Sequence, residues 1–165
     1  LREMVEQFGD TASLAILDGH EIVFLDRVLG GLPYHTSFNA GSRAKAYSTS
    51  LGKAILAHSP DEIVDSNIDK GLEPVTEHTI TDPERLRADL RTTAIRGYAL
   101  DNQENILGIC CVGAPVFGRN ADVVAAISVS GLAVRMTADR IQILAQSLLP
   151  KAAAISSKLG CPKPR

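Results

Sequence analysis

The first candidates for chemistry are a serine and a lysine that stand three residues apart. Ser50 and Lys53 have the S-x-x-K spacing of the nucleophile motif in acyl-transfer enzymes. The companion motifs of those enzymes, S-D-N and K-T-G, do not occur in the 165 residues. The same segment fits the start of a helix capped by Thr49 or Ser50, where open N–H groups near Gly52 would attract an anion. A plain capped helix, an anion site and an acyl-transfer enzyme are therefore kept as alternatives.

Two further hydroxyl groups stand in an apolar stretch near the end of the chain. Ser128 and Ser130 are two residues apart, so in a strand they project from the same face. A buried hydroxyl without a partner costs about 1–3 kcal/mol, so these two either bond to backbone or water or line the polar end of a ligand cavity. Ile109 and Cys111 share one face of the preceding predicted strand, and Asp101 ends the strand before that.

The cysteines and histidines show no metal or disulfide pattern. They are Cys110, Cys111, Cys161, His20, His35, His58 and His78. Neighbouring strand residues point to opposite faces, so Cys110 and Cys111 are poorly placed to bridge each other. No C-x-x-C or H-E-x-x-H spacing occurs. We expect free, buried cysteines in a reducing cytosol, with no metal and no cofactor.

The overall composition limits the class of protein. The chain carries 17 Lys and Arg against 19 Asp and Glu, a net charge of −2, and 45% of its residues are apolar. This composition and length predict one globular domain. No apolar run approaches the roughly 20 residues that cross a bilayer, and no basic stripe is present that would hold nucleic acid. We expect a cytoplasmic protein without a membrane partner.

Periodicity and turn residues predict an alternation of helices and antiparallel strands. The predicted elements are helix 1–8, strands 11–17 and 22–28, a loop or short irregular strand over 29–45, helices 48–58, from 60 and 82–96, strands 98–103, 106–117 and 123–130, and a long helix from 137. Asp18-Gly19 joins the first two strands and is a typical hairpin turn.

Several local signals carry specific expectations. The segment from Ser59 to Glu62 has the pattern of a capping box, with Pro60 at the first helical position. Ile95 is predicted to lie on the buried side of its helix, with the leucines that precede it. Pro150 is predicted to kink or split the last helix.

The first helix has an apolar stripe that must be buried against something, so we expect self-association; its members are Leu1, Met4, Val5 and Phe8.

The pattern of the last strands indicates the fold class. Residues 106–117 are apolar on both faces, as in a central strand that is covered on both sides. In the next strand, Val123, Ala125 and Ile127 form one apolar face, and the opposite face changes from apolar to hydroxyl-bearing. Helices at both ends and in the middle of a run of hairpins predict an α+β domain with one mixed or antiparallel sheet.

Three segments together resemble the IclR-type transcriptional regulators. Residues 49–57 (TSLGKAILA) are similar to the family's T-x-x-G-K-x-x-L-A segment. Residues 96–117, from RGYALD to GICCVGAPVF, resemble its G-Y-x-x-D and G-x-x-C-x-A-A-P-V-F segments, and residues 125–131 (AAISVSG) resemble its A-A-I-S-V-S-G strand. The segments follow the family's order and spacing, and the resemblance covers nearly the whole chain.

The resemblance implies a GAF-like fold, with a mostly antiparallel central sheet flanked by helices, and a role in sensing a small molecule. Residues 1–160 would form the effector-binding domain and 161–165 a frayed tail. A winged helix-turn-helix domain would lie upstream of Leu1, outside this chain, and only that domain would bind DNA. The protein would be a homodimer or homotetramer, in which an effector that prefers one subunit arrangement changes the spacing of the DNA-binding domains.

By position, the effector contacts of the family fall on eight residues of this chain. They are Ser50, Leu51, Gly52, Asp101, Ile109, Cys111, Ser128 and Ser130. We expect a small organic acid, held by its carboxylate. Gly113 stands where the family usually has alanine and is expected to enlarge the cavity. Arg43 and Tyr47 resemble members that regulate aromatic-acid degradation, and Arg43 is the nearest cation expected. Two alternatives stay open: a GAF-like ligand-binding or dimerisation module of another signalling protein, and an acyl-transfer enzyme that uses Ser50 and Lys53.

Overall fold

A curled antiparallel sheet lies between two layers of helices. The computed structural model describes residues 1–31 and 38–162, and within them it contains one six-stranded sheet. The elements are α1 (Arg2–Phe8), β1 (Thr11–Asp18), β2 (Glu21–Val28), β3 (Arg43–Lys45), α2 (Ser50–Leu56), α3 (Asp61–Asp69), α4 (Pro83–Arg96), β4 (Ala99–Asn102), β5 (Ile109–Phe117), β6 (Val123–Leu132) and α5 (Ala138–Lys158). The strand order is β3-β2-β1-β6-β5-β4, with every neighbouring pair antiparallel. The α+β, GAF-like prediction is confirmed.

Each face of the sheet has its own hydrophobic core. On one face, α2 packs against β1, β5 and β6, and α4 packs against α2 and β4, with Leu51 and Leu86 among the buried side chains. On the other face, α5 packs against β5 and β6 and α1 packs against β1, with Leu144 and Ile127 in the core. Strand β5 is therefore covered on both sides, as predicted, although it begins at Ile109 and not at residue 106.

Side-chain caps determine where three helices begin. The Thr49 hydroxyl accepts from the Gly52 N–H at the start of α2, and Asp82 and Thr137 cap α4 and α5 in the same way. At its other end α4 stops at Gly97, which adopts a left-handed φ of 84°. Such a conformation costs glycine little, and it ends a helix efficiently.

The capping box predicted for α3 is wrong. The Ser59 hydroxyl donates to the Ile55 carbonyl at 2.9 Å, so it belongs to the end of the preceding helix. Pro60 is the N-cap of α3 and not its first helical residue, and no side chain caps this helix. A sequence pattern cannot tell which of two adjoining helices engages a hydroxyl between them.

Two other helical predictions need correction. Ile95 is 88% exposed, because the buried line of α4 runs through Leu86, Leu90 and Thr93 and residue 95 lies on the opposite side. Of the two outcomes predicted for Pro150, a kink or a split, the split is wrong, because α5 continues through this residue from Ala138 to Lys158. Pro150 is exposed, so the carbonyl that loses its helical partner can bond to water.

The apolar stripe of α1 is covered within the chain. Met4 is 1% exposed, and Leu1, Val5 and Phe8 pack against the core beside α5. The stripe therefore gives no reason for self-association, contrary to the expectation from sequence. In the predicted tail, Cys161 and Pro162 have no regular secondary structure, and residues 163–165 lie outside the described residues, as does 32–37 of the predicted loop. Among the helices described, none is both long enough and apolar enough to cross a membrane.

Candidate functional site

A first row of neighbouring residues crosses the sheet on the face that α2 covers. The register pairs Asp101 with Cys111, Cys111 with Ser130, and Ser130 with Thr11. Directly opposed residues of an antiparallel pair project to the same side. The carboxyl, thiol and hydroxyl groups of four consecutive strands therefore line up beneath α2.

A second row runs parallel to the first, two residues further along each strand. It contains Gly113, Ser128, Ser13 and Arg27 as successive cross-strand partners. A bulge in β2 brings Arg27 to this face, because Ala15 pairs with Phe24 whereas Leu14 pairs with Asp26. The extra residue, Leu25, shifts the alternation, so that Phe24 and Arg27 both face α2.

The two rows form the floor of a small cavity whose roof includes the start of α2. The cavity has a volume of about 40 Å³. Its described lining residues are Ser13, Phe24, Arg27, Phe38, Thr49, Ser50, Leu51, Asp101, Asn105, Ile106, Ile109, Cys111, Ser128 and Ser130. Seven of the eight residues predicted from sequence are among them, and Gly52 is not.

Gly52 has a structural role beside the cavity. A Cβ on this residue would lie 2.1 Å from the carbonyl oxygen of Ala46, so only glycine allows α2 to approach the preceding turn this closely. Its N–H donates to the Thr49 hydroxyl at 3.0 Å. The N–H group that the sequence suggested for an anion is therefore already used.

Gly113 does not enlarge the cavity, contrary to the expectation from sequence. A Cβ on Gly113 would lie 2.5 Å from the carbonyl oxygen of Ser50, and the volume that an alanine would occupy is filled by the backbone of α2. Glycine at this position lets α2 dock closely on β5.

The two residues that suggested an aromatic acid lie elsewhere. Arg43 forms ion pairs with Asp18 and Glu21, each at 2.8 Å, on the exposed edge between β2 and β3. The Tyr47 hydroxyl donates to the Glu73 carbonyl at 2.9 Å. Neither residue lines the cavity. The cation that does line it is Arg27, which the sequence analysis missed.

Three serine hydroxyls face the cavity without a protein partner. Ser13, Ser50 and Ser128 are between 1% and 2% exposed, and the described part of the chain offers their hydroxyls no hydrogen bond. Ser130 differs, because it is only half-buried and lies beside the Cys111 thiol, which interacts with both Ser130 and Asp101. Three buried and unpaired donors converging on one cavity are suited to a polar ligand, since leaving them unpaired is unfavourable.

Aromatic rings and a guanidinium group form one end of the cavity. The rings of Phe24 and Phe38 stack at a centroid distance of 5.2 Å. The guanidinium carbon of Arg27 lies 5.8 Å from the centre of the Phe24 ring, and its Nη1 donates to the Phe38 carbonyl. A guanidinium held in place beside a cavity attracts a carboxylate.

Asp101 occupies the other end of the cavity and is 3% exposed. Its Oδ1 accepts from the N–H groups of Glu104 at 2.7 Å and Asn105 at 3.4 Å. Burial, and then the nearby charge of Glu104, raise the pKa of the Asp101 carboxyl to about 7, against an ordinary value of 3.8. At neutral pH the protonated and ionised forms of this carboxyl are therefore both present.

Lys53 cannot serve Ser50 as a general base. Its ammonium is 1% exposed and lies 2.8 Å from both Asp89 Oδ2 and Glu104 Oε1. This buried pair fixes α2 to α4 and to the loop after β4. Cys111 is no better as a nucleophile, because burial and then the charge of Asp101 hold the pKa of its thiol well above the usual value.

The site carries no arrangement for a metal. Within residues 1–31 and 38–162, no cluster of three or more His, Cys, Asp or Glu side chains is positioned to hold a metal ion. All three cysteines are free. The groups that converge on the cavity can bind a ligand, and they include no activated nucleophile with a base.

Comparison with known proteins gives one consistent family. The family model described as "Bacterial transcriptional regulator IclR C-terminal" matches residues 1–157. The chain is 36% identical over 157 residues to the HTH-type transcriptional regulator BhcR of Paracoccus denitrificans, an alignment that covers 94% of the chain and 56% of that protein. It is 32% identical over 163 residues to the transcriptional repressor IclR of Escherichia coli, covering 97% of the chain and 60% of the repressor.

Solved structures agree with the sequence comparison. The crystal structure of the Thermotoga maritima IclR superposes with a TM-score of 0.91 at 38% identity, and the match covers 97% of this chain and 65% of that one. The chain thus spans less than two thirds of the length of each of these three proteins.

Proposed function

The chain belongs to the IclR family of bacterial transcriptional regulators, as the family's C-terminal domain, and we propose that this domain binds a small organic acid as effector in the cavity beneath α2. Its relatives are transcriptional regulators and not enzymes, so the acyl-transfer hypothesis is dropped. Membership of the family also removes the hypothesis of a module from another kind of signalling protein.

The observation that carries the proposal is a set of three buried serine hydroxyls that converge on one small cavity. Ser13, Ser50 and Ser128 present these hydroxyl groups, which have no hydrogen-bond partner in the described part of the chain. A carboxylate accepts hydrogen bonds from all of these groups, and it cannot donate any. The apolar wall, which includes Ile109, would take the carbon skeleton. A sugar or a cation would fit this combination of groups less well.

The size of the cavity favours a short acid. A volume of about 40 Å³ holds about three water molecules at the usual 10–15 Å³ each. An acid with two or three carbons matches that space, whereas an aromatic acid would require α2 or the aromatic end to move outward. The positions of Arg43 and Tyr47, outside the cavity, agree with the shorter ligand.

The connection from the cavity to α1 suggests how binding would be communicated. Strand β1 carries Ser13 at the cavity and begins two residues earlier, directly after Asp10. The Asp10 carboxylate is fully buried and pairs with Arg140 of α5. A ligand that repositions β1 would therefore act on both α1 and α5. In the proposed mechanism, the effector shifts the population of subunit arrangements, and a winged helix-turn-helix domain ahead of α1 responds.

A thermal-shift screen tests the proposal. The panel consists of acetate, glycolate, propionate, lactate and benzoate, with acetamide and propionamide as neutral controls of the same shape. A ligand present at 100 times its Kd adds about 2.7 kcal/mol of stability, so a cognate acid should raise the melting temperature clearly. The amides should have no effect, because an amide nitrogen cannot accept the hydrogen bonds that the serine hydroxyls donate. Stabilisation by the amides alone, or by none of the acids, would overturn the proposal.

Partners beyond the effector belong to the same proposal. We expect a homodimer or homotetramer in the cytoplasm, no cofactor, and DNA binding only through the separate N-terminal domain. Three side chains that are more than half exposed, Ile95, Val134 and Ile143, are candidates for a subunit contact. Sedimentation at about 50 μM would show assembly if the contact has a micromolar Kd, and a purely monomeric profile would refute it. Residues 1–165 alone should leave no footprint on operator DNA.

A further inference from the structure

We propose, building on the proposed function, that Asp101 receives the effector as a neutral carboxylic acid and donates its O–H to the effector's carboxylate. Each anion that binds then takes up one proton, and the affinity of the site depends on pH. Binding needs no covalent step, and the proton comes from solvent.

The carboxyl group of Asp101 faces the cavity, where the thiol of Cys111 also interacts with it. The residue lines the cavity together with Ser130, Cys111 and Ser50. Two backbone N–H groups hold Oδ1 from the loop after β4 and fix the orientation of the carboxyl. Ordered in this way and shielded from water, the group can interact directly with an acid in so small a space.

Among the residues that the structure describes, no cation beside Asp101 is free to neutralise its ionised form. Lys53 of α2 is the nearest ammonium that acts on it, and Lys53 already contacts two carboxylates at 2.8 Å, those of Asp89 on α4 and Glu104 in the loop. Burial raises the pKa of Glu104, and one of its oxygens, Oε2, has no hydrogen-bond partner among the described residues. The immediate surroundings of Asp101 therefore hold one positive and two negative charges.

The remaining titratable groups around Asp101 do not change this balance. Cys110 of β5 is buried and Cys111 is half-buried, and the raised pKa values of both thiols keep them neutral. Arg27 of β2 is the one further cation lining the described part of the cavity, and it lies at the opposite end, four strands away in the sheet. An effector carboxylate beside an ionised Asp101 would add a fourth negative charge with no cation close by among the described residues. Protonation of Asp101 removes that repulsion and supplies a donor.

The ligand-free chain agrees with this assignment. The pKa of Asp101, about 7 without ligand, must rise further when an anion occupies the cavity. Below about pH 6 the carboxyl is already protonated, so binding should not change with pH. Above about pH 7.5 each proton has to be taken up, so the Kd should increase about tenfold per pH unit.

Isothermal titration calorimetry tests the proposal. The tightest-binding acid of the panel is titrated at several pH values, at each of them in two buffers that titrate near that pH and differ in ionisation enthalpy, so that the difference in heat gives the number of protons exchanged. Close to one proton should be taken up at about pH 8.5 and close to none at about pH 5.5. Asp101→Asn keeps the acceptor oxygen for the loop and should show no uptake and a Kd that is independent of pH. Asp139→Asn, on the exposed surface of α5, should behave like the wild type.

Infrared difference spectra give a second readout. Addition of the acid at about pH 8 should produce the carbonyl band of a protonated carboxyl in the wild type and not in Asp101→Asn. Binding without proton uptake, or uptake that persists in Asp101→Asn, would overturn this proposal while the proposed function stands. If no acid of the panel binds at any pH, the proposed function fails and this proposal fails with it.

Discussion

The carbonyl oxygen of Ser50 lies directly above the α-carbon of Gly113, so close that a Cβ on residue 113 would come within 2.5 Å of it. This contact joins the first turn of α2 to the middle of β5. It determines the distance between the roof of the cavity and its floor, because Ser50 and Leu51 of the roof and Cys111 of the floor are attached to the same two elements.

Gly113→Ala should therefore push α2 away from the sheet. Overpacking of a close contact costs about 1–3 kcal/mol of unfolding free energy, and we expect a weaker affinity for the effector as well. Urea denaturation and calorimetry measure both effects. Gly19→Ala is not suitable because of its positive φ, so Gly31→Ala is the matched control: a Cβ at residue 31 meets no atom of the described residues within 4 Å. Equal effects of the two substitutions would contradict the proposed contact.

Lys53→Met should be strongly destabilising. The substitution removes the buried partner of Glu104 and Asp89 and leaves two carboxylates uncompensated, which typically costs about 3–5 kcal/mol. Lys151→Ala removes a lysine from a surface pair with the exposed Glu3 and should cost at most about 1 kcal/mol. Urea unfolding of both variants separates the two cases. A Lys53→Met variant as stable as Lys151→Ala would refute the structural role of the buried pair.

Asp101→Asn should change how stability depends on pH. The pKa of Asp101 is about 7 in the folded chain, above the ordinary 3.8, so between these values the folded state binds more protons than the unfolded state. The wild type should therefore lose stability relative to Asp101→Asn as pH rises from about 4 to about 7, by up to about 1.4 kcal/mol per pH unit. Above that range the difference should be constant. Urea titrations at several pH values measure it, and a difference that does not vary with pH would be the contrary result.

Arg140→Ala should cost more stability than Arg135→Ala, although both arginines lie near Asp10. Arg140 donates to the Asp10 carboxylate and, at 3.2 Å, to the Phe8 carbonyl, whereas Arg135 lies 3.8 Å from Asp10 and is more exposed. Removal of Arg140 leaves a buried charge poorly paired and should cost about 3 kcal/mol or more. Arg135→Ala should cost less than about 1 kcal/mol. If Arg135→Ala lowers the melting temperature more than Arg140→Ala does, Arg140 is not the main partner of the Asp10 carboxylate.

Residue periodicity predicts most of the helices and strands of the fold correctly. The alternation in β6 placed Ile127 on one face and Ser128 on the other, and the structure has this arrangement because both faces of the sheet are covered. Alternation and turn residues are local signals, and antiparallel hairpins depend largely on local signals. Predictions failed where the outcome depended on a neighbouring element, as when the Ser59 hydroxyl bonded to the end of α2.

Two polar residues of the cavity, Arg27 and Ser13, were missed for different reasons. Arg27 reaches the cavity because the bulge at Leu25 reverses the alternation of β2, and nothing in the strand's sequence marks that bulge. The spacing in β1 is a signal for Ser13, because Thr11 and Ser13 share one face of that strand just as Ser128 and Ser130 share one face of β6. The pairing of β1 with β6 joins segments more than 100 residues apart in the sequence, and only the fold reveals it.

The most direct test of the account is the Kd of the cognate acid, measured by calorimetry in the wild type and in the double variant Ser13→Ala/Ser128→Ala. Each hydrogen bond to a charged group contributes about 1.5–3 kcal/mol, so each substitution that removes one should weaken binding roughly 10- to 150-fold. Ser157→Ala, an exposed serine of α5, should bind like the wild type. An unchanged Kd in a folded double variant, or a cognate effector that is a cation, would contradict the assignment of this cavity as the acid-binding site.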